Sequence, residues 1–84
     1  MKYKLVYTKT AAHDIKKLDP AAKKRIKKKI EGFITKPFFY ATKLTHSALG
    51  QYRWRVVNYR IIFDTTHHTI IILRIGHRRE IYKR

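Results

Sequence analysis

The sequence predicts an α+β fold: an N-terminal strand, a two-helix hairpin, then a three-strand antiparallel meander. Apolar residues recur at helical spacing between positions 11 and 34, whereas from position 51 onward they alternate with polar ones or cluster with β-branched neighbours. The two regimes follow one another instead of interleaving, which favours a hairpin-connected sheet covered on one side by the helices. The 84 residues are expected to form one domain, 1–84, since no linker, repeat or low-complexity segment divides them.

Residues 2–7 alternate, with Tyr3, Leu5 and Tyr7 on one face and Lys2, Lys4 and Val6 on the other, and read as a first strand. Thr8 or Thr10 then offers a hydroxyl to cap a helix. Ala11, Ile15, Leu18 and Ala22 keep helical spacing, but Asp19-Pro20 interrupts them, Asp being a good cap and Pro suited to a first helical position. Two helices result. The second, over about residues 20–34, places Ile26, Ile30, Phe33 and Ile34 on one face and Lys23, Lys24, Arg25, Lys27, Lys28 and Lys29 over the rest, and Lys36-Pro37 ends it.

Phe38, Phe39 and Tyr40 follow at once and are expected to close the edge of a small core, base stacking being the alternative. In the strand region Tyr52, Trp54 and Val56 alternate with Arg53, Arg55 and Val57, and positions 61–63 and 69–75 are dense in β-branched residues. Asn58 and positions 64–68 mark the turns.

Charge narrows the function. With 21 Lys plus Arg against 5 Asp plus Glu, the net charge of +16 exceeds what solubility requires and points to a polyanionic partner. Nucleic acid leads, with an acidic protein or an anionic membrane able to satisfy the same charge. The absence of cysteine excludes disulfides and thiolate metal sites and suits a reducing cytoplasm. The longest apolar run, 70–73, is far too short for a signal-peptide core or a membrane span, so a soluble cytoplasmic protein without membrane partners is expected. His67-His68 lacks Cys or carboxylate support at ligand spacing, and no Gly-rich phosphate loop, paired carboxylates or Ser-His-Asp set appears, so neither metal nor cofactor is expected.

The chemistry concentrates in two segments. Period two sends Tyr52, Trp54 and Val56 to one face and Arg53 and Arg55 to the other, giving a core face and a cationic face. Arg60 lies in the next strand and Arg74 with Arg78 near the last, so a hairpin sheet can gather guanidinium groups that match phosphate oxygens. At the C-terminus Gly76-His77-Arg78-Arg79-Glu80-Ile81-Tyr82 presents an imidazole, two guanidinium groups and a phenol. Phosphodiester cleavage by a 2′-hydroxyl needs a proton acceptor, cations on the phosphorane and a donor to the departing oxygen. His77 can accept or donate near neutral pH, and Tyr82 can stack on a base or donate a proton.

Tyr52-Arg53-Trp54-Arg55-Val56-Val57-Asn58-Tyr59-Arg60 and the 76–82 segment closely resemble the two signature segments of the RelE/ParE toxin superfamily, the RelE branch in particular. There the first usually reads Tyr-Arg-Ile-Arg-Val-Gly-Asp-Tyr-Arg and the second Gly-His-Arg-Arg-x-Val-Tyr. Ala41-Thr42-Lys43-Leu44 falls where the family has an Ala-x-Lys-Leu stretch, and the similarity spans almost the whole chain.

The resemblance implies a compact RelE-like, microbial-RNase-like sandwich that enters the ribosomal A site. It implies metal-independent cleavage of messenger RNA by 2′-hydroxyl attack, leaving a 2′,3′-cyclic phosphate and stopping translation. Carried onto this chain, Arg53 and Arg55 occupy the basic strand positions, Arg60 is the transition-state arginine, Arg78 the second essential arginine, and Tyr82 the stacking or proton-handling tyrosine. Family members resembling this one use lysines at the basic strand positions, one as general base, whereas arginine stays protonated. Either His77 takes that role or Arg53 and Arg55 act only electrostatically, the proton going to water or the ribosome. Val57-Asn58 also replaces the usual Gly-Asp, which alters the turn. The family further implies an acidic antitoxin that folds on binding. A ParE-like inhibitor of DNA gyrase and a non-catalytic RNA-binding homologue are the alternatives on the same fold.

Overall fold

The computed structural model describes residues 3–45 and 48–81, so the expectations placed on Lys2 and Tyr82 lie outside the described residues. The chain runs β1 (Lys4–Tyr7), α1 (Lys9–Lys16), α2 (Pro20–Phe33), β2 (Thr42–Lys43), β3 (Tyr52–Val56), β4 (Tyr59–Thr66) and β5 (Thr69–His77). Thr8, not Thr10, caps α1: its hydroxyl accepts from the Ala11 amide at 3.0 Å and donates to the Leu73 carbonyl at 3.1 Å, so the cap also fastens the helix to β5. Asp19 caps α2 through the Ala22 amide at 3.3 Å, with Pro20 in the first turn, where its missing N–H costs nothing.

The α+β class holds, and the expected meander is the centre of a larger sheet of order β1-β5-β4-β3-β2. Two differences stand out. β1 joins the edge of β5 in parallel, Leu5 opposite Ile70 and Tyr7 opposite Ile72, whereas the other neighbours are antiparallel. β2 adds an edge strand of two residues, too short to leave a periodic signal. The last turn is also tighter than positions 64–68, because Asp64, Thr65 and Thr66 continue β4 and the chain reverses at His67, which has φ 54°. Asp64 is held there by the Gln51 amide, which donates to its carboxylate at 2.7 Å.

One face of the sheet is the core. Trp54, Ile61 and Ile75 form one cross-strand row, and Tyr52, Phe63, Ile72 and Tyr7 the next. Ile26 and Ile30 of α2 and Ala11 of α1 are buried against them. Trp54 and Phe63 lie with ring centroids 4.1 Å apart, and the indole N–H donates to the Pro37 carbonyl at 3.0 Å, satisfying the only polar atom of a fully buried ring. A bulge opposite Ile62 and Phe63 gives β5 one extra residue, so the buried positions change from Ile70 and Ile72 to Ile75. The opposite face carries the arginines, with Gly50 lying over Ile62 and Leu73 at one end. Among the described residues no helix is long and apolar enough to cross a membrane.

Candidate functional site

Arg53 and Arg55 sit two residues apart on β3, so they share the face opposite Trp54. Arg55 stands directly across from Arg60 on β4, and Arg60 across from Gly76 on β5; Arg53 pairs with Ile62. Three of the expected arginines therefore occupy one face, away from the helices. Ile81 packs against Gly76, the position opposite Arg60, at 3.5 Å from where a Cβ would stand.

The burial of Arg60 is unusual for a cation: it is 5% exposed. Its Nη1 donates to the carbonyls of Val57 at 3.1 Å and Tyr59 at 3.0 Å, which holds the guanidinium against the β3–β4 turn. In that turn Val57, a β-branched residue, takes φ 54°, in the left-handed region where such side chains clash with their own backbone. The Arg78 amide donates to the Asn58 carbonyl at 2.6 Å, and its side chain is exposed. Both arginines singled out at the two signature segments are thus fastened to one two-residue turn, Arg60 by its side chain and Arg78 by its backbone.

His77 is not brought into this group. It pairs with Tyr59 on the helix-side face, their rings edge-on at 5.8 Å, and its Nδ1 accepts from the Arg79 amide at 3.2 Å. Arg74 is also diverted: its Nε donates to Asp14 of α1 at 2.8 Å and its Nη2 at 3.4 Å. That hydrogen bond raises the already high pKa of Arg74.

Asp14 is the residue that sequence reasoning missed. It is 7% exposed, and the same oxygen that binds Arg74 accepts from the Ile75 amide at 3.0 Å, past the point where β1 stops pairing with β5. One carboxylate thereby replaces the missing strand neighbour and fixes the stretch leading to Gly76. A signal existed: Asp14 lies on the helical stripe of Ala11, Ile15 and Leu18, where a charge requires a partner. Asp14, Arg74, Tyr59 and His77 line a cleft of about 650 Å³ on the helix side. Among the described residues, no three His, Asp or Glu side chains gather as a metal ion would require.

A five-stranded sheet with a helical pair packed on one face is a fold shared with solved structures of RelE-type toxins. A chain of the toxin-antitoxin complex RelBE2 from Mycobacterium tuberculosis superposes with a TM-score of 0.84 and 26% identity, over 93% of this chain and 100% of that one. The RelB-RelE antitoxin-toxin complex from Methanococcus jannaschii gives a TM-score of 0.71 and 32% identity over 92% and 94%. Toxin RelG of Mycobacterium tuberculosis is 31% identical over 87 residues, covering both chains fully. The family model for the ParE toxin of type II toxin-antitoxin system, parDE, matches residues 5–82. The chain belongs to the RelE/ParE toxin superfamily of type II toxin-antitoxin systems.

Proposed function

We propose that this toxin is a ribosome-dependent endoribonuclease that cleaves messenger RNA in the A site. The observation that carries the reading is the direct opposition of Arg55 and Arg60 on the sheet face away from the helices, beside the turn that anchors Arg78. Like charges directly across a ladder cost stability, and a site for an anionic transition state is where such a pair is useful. In the proposed step the 2′-oxygen forms a bond to phosphorus as the bond to the 5′-oxygen breaks, leaving a 2′,3′-cyclic phosphate. Arg60, fixed by the turn carbonyls, and Arg78 neutralise the phosphorane. Arg53 and Arg55 hold the flanking phosphates and act electrostatically, because guanidinium does not give up its proton. With His77 on the other face, the 2′-hydroxyl proton passes to water or a ribosomal group, and Tyr82 stacks on a base or protonates the 5′-oxygen.

An acidic antitoxin belongs to the same proposal. Solved relatives are toxin-antitoxin complexes, and a chain of net charge +16 suits a partner of opposite sign.

The test is a translating extract to which purified protein, or its Arg60→Ala, Arg78→Ala or Tyr82→Ala variant, is added, with messenger ends mapped by primer extension. Codon-phased cuts bearing cyclic-phosphate ends, lost in the variants, are expected. Because the matching family model describes ParE toxins, a second reading is inhibition of DNA gyrase. Intact messenger together with blocked supercoiling would establish it in place of cleavage.

A further inference from the structure

Across the sheet from the arginine row lies a second cationic site. Arg25, Lys28 and Lys29 of α2, with Gly32, Phe33 and Tyr40, line an open cleft of about 430 Å³. Gly32 leaves its floor clear, a Cβ there meeting nothing within 4 Å. A ladder of rings leads into it from the core: Trp54 to Phe33 at 5.1 Å, Phe33 to Tyr40 at 5.3 Å, Tyr40 to Phe39 at 5.0 Å. Exposure rises along that ladder from 0% at Trp54 to 48% at Tyr40 and 78% at Phe39. Within the aromatic run, Phe38 packs against Tyr3 and Tyr52 and Tyr40 against Phe33 at the core edge, as the sequence suggests, each about half exposed, while Phe39 stands out into solvent. The Trp54 indole holds the base of the loop through the Pro37 carbonyl, so the rings are presented from a fixed point.

We propose that this cleft is a subsite for single-stranded RNA, taking one base against Tyr40 and Phe39 and the adjoining phosphates on Arg25, Lys28 and Lys29. The lining matches a nucleotide: Phe33 and Tyr40 supply ring surface beside three cations, the combination by which a base stacks while its flanking phosphates are neutralised. Stacking accepts any base, so the subsite is sequence-tolerant and grips RNA on the side of the protein that cannot cut it. That RNA is the ligand is shared with the nuclease reading; the site itself does not depend on cleavage.

The experiment is fluorescence anisotropy of a labelled ten-nucleotide oligouridylate on the full chain. Tyr40→Ala or the more exposed Phe39→Ala is expected to weaken binding by about fivefold to a hundredfold. Lys28→Gln with Lys29→Gln should lower the slope of log affinity against log salt by about 1.4, at about 0.7 per phosphate. The control pair Lys24→Gln with Lys27→Gln, on the same helix but outside the cleft, removes equal charge and should lower the slope by less. Equal effects of the two lysine pairs, with Tyr40→Ala and Phe39→Ala both silent, would reduce the site to diffuse charge and overturn the proposal. A polyglutamate peptide bound with the same Tyr40 dependence would overturn it in favour of a peptide site. If messenger is not cleaved in the extract while ring-dependent binding persists, the nuclease reading fails and the subsite stands; cleavage with ring-independent binding reverses that outcome.

Discussion

Arg55 and Arg60 face each other across the β3–β4 ladder, one exposed and the other buried against the carbonyls of its own turn. Their repulsion sets folding against function. Arg55→Gln should stabilise the fold by about 0.2–1 kcal/mol, with the gain shrinking as salt screens the wild-type pair. The same change should lower cleavage by about 10²-fold if Arg55 neutralises phosphate charge. Urea midpoints at low and high salt, run beside the extract assay, check both halves.

Val57 carries a second conflict, a β-branched side chain at φ 54° that is 62% exposed and gives the core little in return. Val57→Gly should relieve it and stabilise by about 1 kcal/mol, raising the melting temperature by about 4–8 °C. A melting temperature that falls would mean that the valine side chain contributes more than its conformation costs. Calorimetry reads the difference directly.

Removing the carboxylate of Asp14 leaves the Ile75 amide without its acceptor and Arg74 without its partner. Asp14→Ala is therefore expected to cost about 1–3 kcal/mol, chiefly for the buried amide. Thermal unfolding gives the total, and hydrogen exchange at Ile75 should show protection lost there before it is lost in the centre of β4.

Tyr7 predicts an alkaline limit. Burial, then the nearby Glu31 carboxylate, push its phenol above the ordinary value of 10.0, so folding favours the neutral form. A group with a raised pKa contributes its stability fully below the unfolded value, and that contribution is lost as pH rises from there through the folded value. Between about pH 9 and about pH 11 the wild type should lose more stability than Tyr7→Phe. Parallel urea titrations of the two proteins at both pH values test the difference.

The elements near the chain's strongest local signals were legible. Asp19-Pro20 announces a new helix, and the strict alternation of Trp54 with Arg53 and Arg55 assigns the two faces of β3 without a structure. His77 was not legible for a definite reason. Continuing the alternation of Ile70 and Ile72 puts position 77 on the arginine face, but the extra residue of the bulge reverses the count and turns the imbalance of one residue into a change of side. The turn offers a similar lesson, since the residue with tolerance for left-handed backbone is Asn58, yet it is Val57 that adopts it. β1's pairing with β5 left no trace either, because it joins positions 4–7 to 69–72 and local pattern carries no information at that separation. Exposure of Phe39 likewise depends on where Trp54 anchors the loop.

That parallel edge gives the protein a timetable. β3 and β4 are synthesised between β1 and its described strand partner β5, so a nascent chain that has released β3 and β4 still lacks the strand that joins β1 to the rest of the sheet. Arg78 arrives later still, after the turn that receives its amide. Non-local pairing of this kind delays completion until the loop between the ends can close. The row of Arg53, Arg55 and Arg60 is accordingly laid down before β5, and only once β5 has been made does Arg78 join it.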